Sequence, residues 1–179
     1  EPLIMSVGRM VPEKGFQILV EAAPHVLREF PHARFVIAGK GGMLEELRSR
    51  AYHMGLGDRV DFLGYVSDED LIKLMRVSDV AVFPSIYEPF GIVALEGMAA
   101  RTPVVVADTG GLNGIVEHNV TGIKTYPGQP ESLAWGIKQI FYHPEHAQWM
   151  TRQAYERLID TFNWEIIAEQ TKAVYHKMI

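Results

Sequence analysis

Two glutamates, Glu88 and Glu96, bracket the seven residues Pro89-Phe90-Gly91-Ile92-Val93-Ala94-Leu95. An ionised carboxylate only accepts hydrogen bonds, so such a pair suits the hydroxyls of a sugar and of a ribose. Gly91, Ile92 and Val93, placed where a helix should begin, would turn free amides toward a diphosphate. Glu96 stands among Val93, Leu95, Met98 and Ala99, an apolar setting in which a carboxylate is expected to have a specific partner. Far upstream, Gly8-Arg9-Met10-Val11-Pro12-Glu13-Lys14-Gly15 sets two cations in a turn with glycine at both ends. Arg9 and Lys14 there suit phosphate oxygens at a helix N-terminus; a solvated loop with two surface charges is the alternative. In Ala38-Gly39-Lys40-Gly41-Gly42 the glycines allow close approach of a ligand, or simply a tight turn. That loop lacks the Ser or Thr of a Mg²⁺-binding phosphate loop, which argues against ATP hydrolysis of that kind.

These loops need elements to position them. Leu3 to Val7, Arg34 to Ala38, Val60 to Leu63, Val80 to Phe83 and Val104 to Ala107 are short apolar runs rich in Val, Ile and Phe. Without polar alternation, such runs suit strands buried on both faces of a parallel sheet. Between them, Phe16, Leu19, Val20, Ala23, Val26, Leu27 and Phe30 recur at helical steps, and Met43 to Met54 reads as a second helix stopped by Gly55. Ser67-Asp68-Glu69-Asp70 resembles an N-cap with an acidic first turn for a third. The repetition predicts an α/β fold, a doubly wound Rossmann-like parallel sheet flanked by helices. Ligands of such sheets bind beyond the carboxyl ends of the strands, where the loops above fall. From about residue 131 the chain reads as C-terminal helices, broken near His143-Pro144 and Phe162-Asn163-Trp164, with Asn163 capping a last helix to Lys177.

The composition excludes other classes. In 179 residues, 47% are hydrophobic and 22% charged, which rules out disorder and a fibrous repeat. The net charge of −5 leaves no electrostatic footprint for a nucleic acid. With no cysteine, the chain has no disulfide, no zinc-thiolate site and no thiol catalysis, which fits a cytoplasmic setting. No apolar run approaches the roughly 18 residues of a transmembrane helix, and no basic n-region marks a signal peptide. A first residue other than Met, running straight into a strand, suggests a piece of something longer.

Several motifs in order carry a resemblance. Glu88 to Glu96 has the E-x7-E form; Gly8-Arg9 and Lys14-Gly15 stand upstream; Thr102-Pro103-Val104-Val105-Val106, Thr109-Gly110-Gly111-Leu112 and Thr121-Gly122 follow. Together they resemble the C-terminal, donor-binding half of retaining GT-B glycosyltransferases of family four, over nearly the whole chain. The resemblance implies that residues 1–179 bind a nucleotide-sugar donor, and that an N-terminal acceptor domain is absent. It gives Arg9 and Lys14 to the donor's diphosphate and to charge on the departing nucleotide, and Glu88 to hydroxyls of the transferred sugar. The loop Pro89, Phe90, Gly91, Ile92 is given to sugar and phosphate, with Gly8 and Gly39 at the same donor site. Glu96 is given to the ribose, and Leu63-Gly64-Tyr65-Val66 to the base, through Tyr65 and Val66. It implies transfer to a sugar or glucan acceptor with retention, by attack on the donor's own face and with the leaving phosphate as base. No metal or other cofactor is expected, and glucan synthesis is a modest preference from Tyr87-Glu88-Pro89-Phe90-Gly91. A sugar-nucleotide epimerase of the same architecture, or a module that binds nucleotide without chemistry, are the alternatives. Two positions depart from the family pattern: Arg101 replaces a glycine, and Gly114 replaces a glutamate, with Glu117 nearby.

Other residues read as structural. His143 and His146 mark a helix boundary rather than a metal site, and His118 is a loop residue. Trp135, Trp149 and Trp164 fit packing, with a sugar-stacking platform as the lesser option. The eight methionines fill the core, and the sequon Asn119-Val120-Thr121 is discounted without a secretion signal. In the resembled family the last helices lean across the cleft, so Trp164, Ile167, Val174 and Tyr175 are expected to be partly uncovered here.

Overall fold

A computed structural model describes residues 1–177. Its sheet has six strands, β1 (Leu3–Val7), β2 (Arg34–Ala38), β3 (Val60–Gly64), β4 (Val80–Phe83), β5 (Val104–Ala107) and β6 (Ile123–Thr125). They lie in the order β3-β2-β1-β4-β5-β6, and every pairing is parallel. The connecting helices are α1 (Phe16–Leu27), α2 (Leu44–His53), α3 (Asp68–Val77), α4 (Ile92–Ala99) and α5 (Gly110–Ile115), followed by α6 (Pro130–Tyr142), α7 (Pro144–Thr161) and α8 (Trp164–His176). The doubly wound architecture is therefore as expected. The strand β6 and helix α5 had no counterpart in the sequence reading.

Both faces of the sheet are covered, and the strand side chains alternate between two cores. Ile4, Phe35, Ile37, Val80, Val82 and Val105 pack with α1, α2 and α6. Met5, Ala81, Phe83, Val104 and Val106 pack with α3, α4 and α5. Apolar residues at consecutive positions are thus required on both sides, which is why the strands read as unbroken runs. Helix α7 bridges the two layers, with Ala147 and Met150 in the first core and Ala154 in the second. The caps agree with the chemistry of their residues: Ser67 accepts from the Asp70 amide, and Asn163 accepts from the Glu165 amide. His143 sits at the junction of α6 and α7, the boundary its Pro144 announced. Helix α8 buries no residue; Trp164 is 83% exposed and Tyr175 65%.

Arg101 occupies a left-handed conformation, φ 60°, in the turn between α4 and β5. Its guanidinium lies over the Tyr155 ring of α7, 4.2 Å from the centroid. A side chain in that conformation costs on the order of 1–2 kcal/mol, which a glycine avoids. An exposed cation–π contact returns about 0.5–1 kcal/mol, so it offsets part of the strain. Arg101→Ala is expected to lose the stacking and keep the strain, whereas Arg101→Gly loses both. In urea denaturation the glycine variant should therefore be more stable than the alanine variant, by roughly 1 kcal/mol.

Candidate functional site

A cleft of about 250 Å³ opens at the carboxyl ends of β1 and β4, where the strand order reverses. Gly8, Arg9, Lys14, Glu88 and Glu96 line it, together with Val7, Phe16, Leu71, Phe83, Pro84, Ser85 and Val93. The loop after β1 and the loop after β4 meet because the Ile86 and Tyr87 amides both donate to the Glu13 carbonyl, at 2.8 and 3.1 Å. The loop after β5 joins them: the Gly111 amide donates to the Glu88 carbonyl at 2.8 Å, and the Thr109 hydroxyl to the Ile86 carbonyl at 3.1 Å. Three sequence-distant loops are thereby fixed to one another by their own backbone groups.

The glycines belong to this contact. A Cβ on Gly110, at φ 49°, would lie 2.0 Å from the Glu88 carbonyl oxygen. One on Gly39, at φ 131°, would lie 1.9 Å from the Gly8 carbonyl oxygen. Gly39 lies outside the residues lining the cleft; its glycine identity is demanded by the neighbouring loop. Gly41 of the same loop is likewise set against the backbone of the loop after β1, where a Cβ would lie 2.3 Å from the Met10 carbonyl oxygen.

Glu88 is buried, 6% exposed, and its Oε2 takes two bonds. Lys14 Nζ donates at 2.5 Å, and the buried Ser85 hydroxyl donates at 3.2 Å. Two of the predicted residues therefore bind each other, and the buried carboxylate has its counter-charge. Oε1 has no protein donor among the described residues. Ser85 went unread as a site residue; its only signal was a hydroxyl three positions before Glu88 in the same loop.

Arg9 is exposed, and among the described residues its guanidinium has no hydrogen-bond or ion-pair partner. The Gly91, Ile92 and Val93 amides at the start of α4 have no protein acceptor among the described residues either. Gly91 supplies the left-handed N-cap, φ 80°. Phe90 is 75% exposed and Ile92 62%, so both stand free beside the cleft. Tyr65, 71% exposed, and Val66 follow β3, two strands from β1 and so about 10 Å away by sheet spacing. Lys40 Nζ sits 5.6 Å from the Tyr65 ring centroid, so the predicted base loop and the glycine loop adjoin.

Glu96 lines the same cleft. It is exposed, with no protein partner among the described residues, because α4 turns that side chain toward the cleft while Ala94, Gly97 and Met98 face the sheet. Partial loss of water, and secondarily the charge of Asp68, push its pKa above the usual carboxylate value. Glu117 does not stand in at the Gly114 position: it pairs with Arg157 at 3.2 Å, and Arg157 also donates to the Gly114 carbonyl. Asp68-Glu69-Asp70 has the Asp-x-Asp form of some metal sites. It forms the first turn of α3, with Lys73 bonded to Glu69 and Asp70, and among the described residues no group of three metal-ligating acids or histidines gathers.

The cleft and its rim bring together a lysine shared with a buried carboxylate, a second carboxylate and, without partners among the described residues, a guanidinium and three amides. Such a set can hold a diphosphate and hydroxyl groups together.

Comparison with known proteins agrees with this geometry. Residues 1–157 match the family model described as glycosyl transferases group 1. Over 175 residues the chain is 43% identical to an uncharacterized glycosyltransferase of Methanocaldococcus jannaschii, covering 98% of this chain and 45% of that protein. Over 172 residues it is 36% identical to the glycogen synthase of Mycobacterium tuberculosis, covering 96% of this chain and 42% of that protein. The crystal structure of Anabaena HepE in complex with UDP has a TM-score of 0.90 at 29% identity, covering 98% of this chain and 48% of that one; HepE is also solved with UDP-glucose. The chain thus spans less than half the length of the curated relatives it matches.

Because the folded chain holds the Glu96 pKa above its ordinary value, ionising Glu96 costs stability. The cost is absent in acid, sets in as pH rises past the ordinary carboxylate value, and is complete above the folded value. Glu96→Gln is expected to be more stable than the parent at neutral pH, with a margin that vanishes below about pH 4. Urea denaturation across that range checks it; a constant margin would assign the effect to something other than ionisation.

Proposed function

The chain belongs to the group 1 glycosyl transferases, and from that premise we propose that it is the donor-binding, C-terminal half of a retaining enzyme. The observation that carries the proposal is a single cleft at the β1/β4 reversal lined by Arg9, Lys14, Glu88 and Glu96, with free amides at the start of α4. HepE binds UDP and UDP-glucose, which supports a nucleotide sugar as the ligand.

In this reading Arg9, the α4 amides and Lys14 hold the diphosphate. A departing nucleotide gathers negative charge on its phosphate, and fixed cations and amides aimed there stabilise the transition state. No metal is then required. Lys14 has two partners to serve: it releases part of its charge from Glu88 to the phosphate as the donor enters, and the Ser85 hydroxyl keeps hold of Glu88 Oε2. Oε1 is left to accept from hydroxyls of the transferred sugar. Glu96 accepts from the ribose, and the backbone of Tyr65 and Val66 meets the base. The acceptor attacks the donor's own face, the leaving phosphate oxygen takes its proton, and the anomeric configuration is retained. No carboxylate nucleophile is assigned.

An acceptor-binding N-terminal domain completes the enzyme in this proposal. Helix α8, with Trp164, Val174 and Tyr175 exposed, is the surface we assign to it. A glucan is our preferred acceptor, supported by the likeness to a glycogen synthase.

Calorimetry with UDP, ADP, GDP and their sugars tests the donor site. One base is expected to bind saturably and to bind equally well in EDTA. Arg9→Ala and Lys14→Ala should each weaken it by about ten- to a hundredfold, the 1.5–3 kcal/mol of a hydrogen bond to a charged group. A folded chain that binds none of these ligands refutes the proposal.

A further inference from the structure

A second, larger recess lies on the same end of the sheet as the donor cleft and shares no residue with it. It measures about 740 Å³ and is lined by Asp108, His118, Lys124, Thr125, Tyr126, Glu131, Ser132 and Trp135. Asp108 and Tyr126 directly follow β5 and β6, so the recess opens beyond carboxyl ends as the donor cleft does. Two strand spacings separate β6 from β4, roughly 10 Å.

Its polar groups are committed in a way that restricts the ligand. Lys124 Nζ already reaches Asp108 Oδ1 at 3.1 Å, the Asn113 side-chain oxygen at 2.9 Å and the Asn113 carbonyl at 3.1 Å. Asp108 thus neutralises the ammonium and Asn113 takes two of its hydrogen bonds, which leaves little for a phosphate. Asp108 and Glu131 make the remaining charge of the recess negative, which disfavours an anionic ligand. His118 Nδ1 accepts from the Lys124 amide at 3.0 Å, so the neutral ring carries its proton on Nε2 as a donor. That ring stacks near Trp135, 6.2 Å between centroids at 29°, which holds both. Trp135 is 43% exposed and Tyr126 70%, and the Tyr126 amide is tied to Ser132 Oγ at 2.9 Å.

Flat exposed rings, carboxylate acceptors and a directed imidazole donor match a ligand with apolar C–H faces and many hydroxyls. We propose that this recess binds a neutral oligosaccharide, with Trp135 and Tyr126 stacking on sugar rings, Asp108 and Glu131 accepting from hydroxyls, and His118 Nε2 donating to one. A chain bound there can run along the strand ends toward the donor cleft. The holding of an acceptor chain during transfer rests on the donor reading above; the binding itself does not.

Titration of the chain with maltohexaose, cellohexaose and mannohexaose, read by saturation-transfer NMR and calorimetry, tests the assignment. At least one is expected to bind saturably and to keep its affinity as salt rises. Trp135→Ala and Tyr126→Ala should each weaken it about tenfold or more, and His118→Phe, which keeps a ring beside Trp135, should weaken it several-fold, with nucleotide affinity unchanged in all three. No saturable binding to the folded parent overturns the recess as a glycan site, and does so even where nucleotide binding is intact. Binding that survives the Trp135 and Tyr126 replacements, or that salt abolishes as it would for a basic peptide, also overturns it.

Discussion

A doubly wound sheet has a place where successive connections leave toward opposite faces, and the rest of this molecule's chemistry depends on it. After β1 the chain departs to α1 on one face; after β4 it departs to α4 on the other. Two loops that start side by side are pulled apart, and a crevice is left between them. The Glu13 carbonyl spans that crevice by accepting from Ile86 and Tyr87, and beneath this bridge Lys14 reaches Glu88. A buried carboxylate is tolerable only with such a counter-charge and hydrogen bonds. The ion pair thus rests on the loop contact, which in turn rests on the strand order.

The glycines make sense as part of the same constraint. Packing backbone against backbone at the strand ends leaves no room for a side chain on Gly39 or Gly110, where the nearest neighbour is a carbonyl oxygen of the adjoining loop. The backbone bonds between these loops fix the position of the α4 amides, which have no protein acceptor among the described residues. Electrostatic groups that are held in place before a ligand arrives need no reorganisation when charge develops, which is the circumstance in which they are most effective. The exposed aromatic recess beyond β6 differs in kind, because its cation is spent internally and its rings face outward.

Much of the architecture was legible because burial on two faces writes itself into the chain as unbroken apolar runs. Five strands, from Leu3–Val7 to Val104–Ala107, begin where those runs begin. The sixth, Ile123–Thr125, is three residues long with Lys124 at its centre, and an edge strand needs no such run. Helix α5 is six residues with glycine at 110, 111 and 114, a composition that disfavours helix by about 1 kcal/mol per glycine. Burial of Leu112 and Ile115, and the Gly111 bond to Glu88, override that preference. In the cleft, Glu88 with Lys14 and Arg9 was readable from residue type and loop position. Ser85 was not, since a lone serine carries no charge pattern and its partner is known only once the loop has closed. Glu96 was read from its apolar sequence neighbours, but on α4 it is Ala94, Gly97 and Met98 that take the buried side, and Glu96 shares the open side with Val93 and Ala99.

Residue chemistry and periodicity alone pointed to an α/β fold, to the absence of thiol chemistry, and to two acids and two upstream cations in loops at strand ends. They do so because hydrophobic period and side-chain functional groups are local properties of the chain. Which of those groups face one another was decided by the fold: that Lys14 neutralises Glu88 while Arg9 stays free, that Gly39 serves a neighbouring loop, and that Trp135, His118 and Tyr126 share a recess. Each of these joins residues far apart along the chain, and only the closing of the sheet, with its single reversal between β1 and β4, brings such residues within hydrogen-bond reach.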